Sequence, residues 1–530
     1  MAVGIAAVAF GVFLRLWLVA NTPLNSDEAV VGLMAKQAVH GHFTTFYWGQ
    51  SYGGVEPYVV AALFAPFGAH VWVVKVVPAI FTAIGLVVLW RVGRRIFGPS
   101  TAVVAALLVA WIWPESNIRN SVQEYGFRGV VWLCGVLVLL TVIRITGGGY
   151  RRSDWAVLGA SAGIGWWAGP EILYFLAPAG LAVGAWFVGR PPVRRLTLVP
   201  GLLVALGTGV VGALPWFYTN VTSHWPSLDL GSHFNGGSYG GRLHIFFAKT
   251  LPMVLGTRVL PTGAWLGGRA GTAVYAVALV VVVAAGAFLA LRVPRARILV
   301  LFLGIFPFLY SAFPTDYWRD GRFAVYLSPV VALVVFGAGS LVLGRVRLGH
   351  PGRWWLAPGL AGIVVALAAV SSVQSLRLTT DFGRRPFALR PSRTEAVPSA
   401  LAATLTDHRL TDVYAHYWVA YVLDFVGNGS VTATPPDAIR SRSIYRSVVS
   451  APRSAWVFAS ARAGERAEAQ STFGSDQLEP YDLTAPQFSH TLDRGHVPYV
   501  TIESGPMVVV VPGTPVTPSG LYSIETRSHL

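Results

Sequence analysis

Read as apolar and polar positions, the chain is a succession of long hydrophobic runs joined by short basic connections, followed from about residue 375 by a mixed segment. Eleven runs have the composition of membrane-spanning helices: 2–20, 72–90, 99–114, 126–143, 155–169, 172–189, 196–218, 271–291, 298–313, 323–343 and 354–374. An apolar run of ~18 residues or more is what crosses ~30 Å of hydrocarbon. A further piece, 57–69, is too short to span and is expected to lie in the interface or re-enter. The fifth and sixth runs meet at WWAGPEIL, where Gly169-Pro170 suits a tight turn. The first run lacks a basic flank and Arg15 interrupts it, so it is expected to stay as a span and not to be cleaved as a signal.

Five connections each carry three arginines: Arg91, Arg94 and Arg95; Arg144, Arg151 and Arg152; Arg190, Arg194 and Arg195; Arg292, Arg295 and Arg297; Arg345, Arg347 and Arg353. With eleven spans all five fall on one side, which the positive-inside tendency assigns to the cytoplasm. The N-terminus is then inside, and 21–71, 219–270 and 375–530 are outside a cytoplasmic membrane.

The last ~155 residues alternate helical and strand patterns, as a small external α/β domain would. PSALAATLTDHRL has helical spacing, TDVYAHYW and SAWVFAS read as buried strands, and PYVTIESGPMVVVVP reads as a hairpin turning at Ser504-Gly505. GRRPFALRPSRTEAVP reads as the linker. The division is therefore 1–376, a polytopic α-helical membrane domain with an external first loop, and 377–530, an external α/β domain.

Composition agrees with this class: 54% of residues are hydrophobic and only 12% charged, with a mean hydropathy of +0.56. The net charge of +16 follows from the topology and from contact with membrane lipids, and gives no reason to expect nucleic acid. The one cysteine, Cys134, lies inside a span and supports no disulfide framework.

Candidate chemistry gathers on the external side. In NSDEAVVGLMAKQAVHG, Asn25 and Glu28 form a capping-box pattern and Gly41 closes the helix, so Asp27 and Glu28 read first as a cap. The loop then continues HFTTFYWGQSYGGVEPYVV, crowding Tyr47, Trp48, Gln50, Tyr52 and Glu56 among three glycines. Aromatic faces and hydrogen-bonding groups suit a sugar; the same residues also suit an aromatic belt at the headgroups. Further charges are Lys75, Glu115, Arg119, Glu124 and Arg128, and, in DYWRDGRF, Asp316, Arg319, Asp320 and Arg322. Basic residues on the outer side run against the positive-inside tendency, and a lipid-linked phosphate would hold them there.

These carriers resemble the GT-C glycosyltransferases and, within them, glycosyltransferase family 39, which is related to protein O-mannosyltransferases and to the lipid A aminoarabinose transferase. They are NSDEAVVGLMA, FYWGQSYGGVEPY, RVGRRIFG and DGRFAVYLSPVVALV, with VYAHYWVAYVLDF similar to members that carry a C-terminal external domain. The resemblance implies a GT-C-like membrane fold that takes a sugar from a polyprenyl-phosphate donor. The acceptor would be a lipid, glycan or protein outside the cytoplasmic membrane. It implies Asp27 as general base and Glu28 as its support or the acceptor's guide. Lys75, Arg128 and Arg322 would bind the donor phosphate, and Tyr47, Trp48, Gln50, Tyr52, Glu56, Glu124 and Asp320 the sugar or acceptor. No cofactor and no metal are expected, because there is no HExxH or cysteine cluster and His40 with His42 reads as a surface pair. Two other classes fit part of the pattern: a transporter or flippase for lipid-linked sugars, and a non-catalytic sugar-binding assembly subunit.

Overall fold

The computed structural model describes residues 2–149, 151–228, 237–259, 263–313, 321–348, 356–387 and 393–521. Asp316, Arg319, Asp320 and Arg353 lie outside them. Helix α1, Ala2–Asn21, is followed by α2, Ser26–Val39, α3, Glu56–Phe67, and α4, Val71–Phe97.

Helices stand at all eleven places where the apolar pattern put spans, but not all have full length. Among the described residues eight are long and apolar enough to cross a membrane, and the pair Val199–Gly212 and Leu214–Thr222, bent by 56°, makes a ninth. The other two, Thr101–Ile112 and Arg152–Ala168, have 12 and 17 residues. At ~1.5 Å per residue they reach roughly 18 and 26 Å, less than the hydrocarbon thickness. Among the described residues, eight or nine of these eleven helices thus have full spanning length, and two are shorter. The second short helix is the more tightly packed. A Cβ at Gly159 would stand 1.9 Å from the Ala205 carbonyl and one at Gly163 would stand 2.0 Å from that of Gly209. Small residues let two backbones meet in lipid, where packing and not water drives association.

The membrane core is aromatic at its centre, with Phe175, Phe302, Phe306 and Tyr326 all fully buried. By contrast Val274, Val277 and Val280 of Arg269–Arg292 are open, as a lipid-facing surface requires.

The C-terminal region builds a five-stranded sheet from β1, Asp412–Ala415, β2, Thr432–Thr434, β3, Ala455–Ala459, β4, Tyr499–Ser504, and β5, Met507–Pro512, in the order β2-β1-β3-β5-β4. β1 runs parallel to β2 and β3, whereas β5 is antiparallel to β3 and β4. The β4–β5 hairpin turns at Ser504-Gly505 as its pattern predicts, and the helix expected in PSALAATLTDHRL is Arg393–Asp407, which begins inside the expected linker. TDVYAHYW is strand only to Ala415; from Tyr417 the chain is a helix, Tyr417–Gly427, capped by the His416 ring. A run buried on every side carries no period, so strand and helix look alike there.

This region is not packed as a separate ball. One hydrophobic core joins α2, α3 and the start of α4 to it, with Val31, Val60 and Val74 on one side and Tyr421, Phe425 and Val509 on the other. A Cβ at Gly32 would lie 2.5 Å from the Phe425 ring, so only glycine admits this approach of α2 to Tyr417–Gly427. The short apolar piece α3 thus faces protein on its Val60 and Phe64 side.

One ion pair pins α2 to α4. Lys75 Nζ donates to both Glu28 oxygens at 3.0 and 3.1 Å and to the Pro23 carbonyl at 2.9 Å, and both side chains are fully buried. Removing one partner leaves a buried charge alone, which costs ~3–5 kcal/mol, whereas replacing both by neutral groups costs far less. Lys75→Met should therefore lower the unfolding temperature of the detergent-solubilised protein steeply, and Lys75→Met with Glu28→Gln should regain most of the loss. Wild-type stability in the single variant would show that the pair does not hold the fold.

Candidate active site

The capping box predicted for α2 is present: Asn25 Oδ1 accepts from the Glu28 amide and Glu28 Oε2 from the Asn25 amide, both at 3.0 Å. Glu28 turns inward to Lys75. Its neighbour Asp27, about 100° further round the helix, turns to the C-terminal region. There the Tyr417 hydroxyl donates to Asp27 Oδ1 at 2.6 Å, and the Tyr47 hydroxyl donates to the Asp27 backbone carbonyl at 3.1 Å.

A line of carboxyl groups leads from this point into the membrane part. Glu28 Oε1 faces the Glu124 amide at 3.4 Å, and the Glu124 carboxyl lies beside Glu56 and accepts from the Gly126 amide at 2.7 Å. Burial, with the Glu56 charge next to it, holds the Glu124 carboxyl well above its usual range. Glu56 Oε1 in turn accepts from the Val130 amide at 2.8 Å, at the start of the helix Arg128–Thr146.

Glu56 also lines a cavity together with Asn117, Asn120, Arg128, Trp132 and Tyr326. Arg128 lies over Tyr125 and Phe323, 3.9 and 4.6 Å from their centroids, and Arg322 lies over the same two rings at 5.2 and 5.4 Å. Arg128 is buried, yet its Nε and Nη1 make no hydrogen bond. The Tyr326 hydroxyl donates to Glu171 close by, and Glu171 feels the charge of both arginines. Two guanidinium groups on shared rings make a place for an anion, and their forked donors suit a phosphate.

The sequence-derived candidates therefore separate. Glu28, Glu56 and Glu124 are brought together, Arg128 and Arg322 share two aromatic rings, and Asp27 turns instead to Tyr417. Lys75 is not with the two arginines: its ammonium is engaged by Glu28 and Pro23, away from solvent, and in this structure it anchors α2. Tyr47 and Trp48 are buried in the core shared with the C-terminal region, so neither offers an open face for a sugar to stack on. Tyr52 stands edge-on to Phe127 at 5.1 Å, and Gln50 is half-buried in a turn whose amide donates to the Tyr47 carbonyl. Asp320 falls outside the described residues. Arg119, another external cation, pairs with Glu115 at 2.6 Å. Among the described residues no three His, Cys, Asp or Glu side chains gather as a metal would need.

Sequence reasoning missed Glu171, Tyr326, Tyr417 and Arg440. Glu171 had a visible signal, being a carboxylate in the otherwise apolar WWAGPEIL. Arg440 had none, since nothing in its own neighbourhood points to α2.

Residues 54–218 match the family model described as dolichyl-phosphate-mannose-protein mannosyltransferase. Among solved structures, ArnT from Cupriavidus metallidurans, in its apo state and bound to undecaprenyl phosphate, aligns with a TM-score of 0.60 at 13% identity, covering 96% of this chain and 97% of that one. An oligosaccharyltransferase from Archaeoglobus fulgidus aligns over 89% of this chain and 70% of its own at 15% identity, with a TM-score of 0.48. A search of curated proteins finds no match. The sequence match begins at Gly54, after Asp27, Glu28 and most of the first-loop motif, and takes in the helices to residue 218, while the ArnT fold extends over nearly the whole length. Over residues 54–218 the chain is thus similar to that mannosyltransferase family, and over nearly its whole length it has the fold of ArnT.

Proposed function

We propose that the chain moves a sugar from a polyprenyl-phosphate carrier to a lipid, glycan or protein acceptor on the outer face of the cytoplasmic membrane. The observation that carries this reading is the buried Arg128. Its unbonded Nε and Nη1 stand beside Arg322, in a cavity that carboxyl groups connect to the start of α2. The undecaprenyl phosphate in the ArnT structure adds support, because that ligand is the carrier part of such a donor.

The chemistry divides among these groups. An acceptor hydroxyl oxygen attacks the anomeric carbon, and the bond from that carbon to the phosphate oxygen breaks. The electron pair leaves on the polyprenyl phosphate, and the hydroxyl proton passes to Asp27. A phosphate is already a stable leaving group, so the main need is cations where its charge develops, which Arg128 and Arg322 provide. A single carboxylate within reach of the nucleophile then suffices as base. Glu28 and Lys75 keep that carboxylate in place. Glu56 at the cavity wall, with Glu124 beside it, is the group for sugar hydroxyls.

The test is a transfer assay with the purified protein and radiolabelled polyprenyl-phosphate mannose, arabinose and aminosugar donors. Asp27→Asn leaves the helix start in place, since the cap is made by Asn25 and Glu28. It should lower turnover ~10²–10⁴-fold with normal expression and thermal stability. Near-normal turnover would return Asp27 to the cap. Orientation is tested by labelling: cysteines at His42 and Ser471 should react with an impermeant maleimide in intact cells, and one at Ser153 should not. Reaction at Ser153 alone would put the site on the cytoplasmic side.

A further inference from the structure

Tyr417 reaches Asp27 from 390 residues away, and what holds it there is ordered in turn. Its ring meets Tyr421 edge-on, 5.6 Å between centroids, and its backbone carbonyl accepts from the Ser26 hydroxyl. Arg440 Nε donates to the Tyr417 hydroxyl at 3.4 Å, and the guanidinium lies 5.4 Å from the Tyr417 centroid and 5.9 Å from that of Tyr47. The Arg440 amide donates to the Tyr421 hydroxyl at 2.6 Å. The first loop closes on it: a Cβ at Gly49, where φ is +69°, would stand 2.9 Å from Arg440 Cδ. Donation therefore runs one way, from guanidinium to phenol to carboxylate.

Resting on the reading of Asp27 as base, we propose that Tyr417, supported by Arg440, is its positioning residue. The phenol occupies Oδ1 and fixes the carboxylate plane, so Oδ2 takes the acceptor's proton. Tyr417 keeps its own proton throughout. Burial, and after it the Asp27 charge, hold the phenol well above its usual range. The α/β region is thereby part of the site: its docking on α2 completes the base.

The experiment uses the full chain in lipid nanodiscs with the same radiolabelled donors. Tyr417→Phe keeps the ring and its packing, so its unfolding temperature should match wild type. Its kcat should fall about tenfold with the donor KM unchanged, and the acid limb of its pH–rate profile should move to higher pH. Arg440→Gln should move both in the same direction by less, and Arg440→Lys should retain part of the effect. A readout without turnover is the infrared carboxylate band lost in Asp27→Asn. That band should shift in Tyr417→Phe and stay in place in Tyr47→Phe, whose hydroxyl bonds only the Asp27 backbone carbonyl. If Asp27→Asn is inactive while Tyr417→Phe has wild-type kcat, pH profile and band, the Tyr417 contact is only structural and this proposal fails alone. If Asp27→Asn is active, the base assignment fails and this proposal with it.

Discussion

The ion pair between Glu28 and Lys75 is the constraint on which the site rests. Two charges taken fully out of water are tolerable only if every lone pair and proton finds a partner. Here the Asn25 amide, the Pro23 carbonyl and the pair itself provide them. Because those partners come from the turn before α2 and from the first turn of α4, satisfying the pair fixes where α2 begins. An α-helix turns about 100° per residue. Once Glu28 is aimed at Lys75, Asp27 must face elsewhere, and it faces Tyr417. The acidic pair is thus one buried anchor and one half-buried carboxylate turned to Tyr417, so the cap and the proposed base are compatible in NSDEA.

The same pair sorts the cations. Lys75 and Arg128 both looked like phosphate ligands, but a cation already neutralised by a buried carboxylate adds little to a departing phosphate. Arg128 differs because its neighbours are mainly aromatic faces, which attract a cation without using up its N–H donors. A guanidinium stacked in this way remains able to make forked hydrogen bonds.

The membrane helices were legible because a long apolar run is the strongest signal a sequence carries, and the capping box because it is written in four consecutive residues. What the apolar run 155–169 did not show is that Gly159 and Gly163 bring two backbones together there. The role of Lys75 was misread because its partner lies 47 residues earlier, beyond any local pattern. Tyr47 and Trp48 looked like an open sugar platform because the sequence does not say that a sheet built after residue 411 will cover them. Tyr417 and Arg440 were illegible for the same reason: a contact across 390 residues is a property of docking, not of spacing.

Sequence reasoning and geometry meet on Arg128 and Arg322 as the proposed receivers of the donor phosphate, and geometry alone sets Lys75 apart from them. The most direct measurement is a cryo-EM map of the protein in nanodiscs with undecaprenyl phosphate. The account predicts phosphate density within hydrogen-bond reach of both arginines, with the Glu28–Lys75 pair intact. Density on Lys75 with that pair opened, or at a site remote from Arg128, would contradict it.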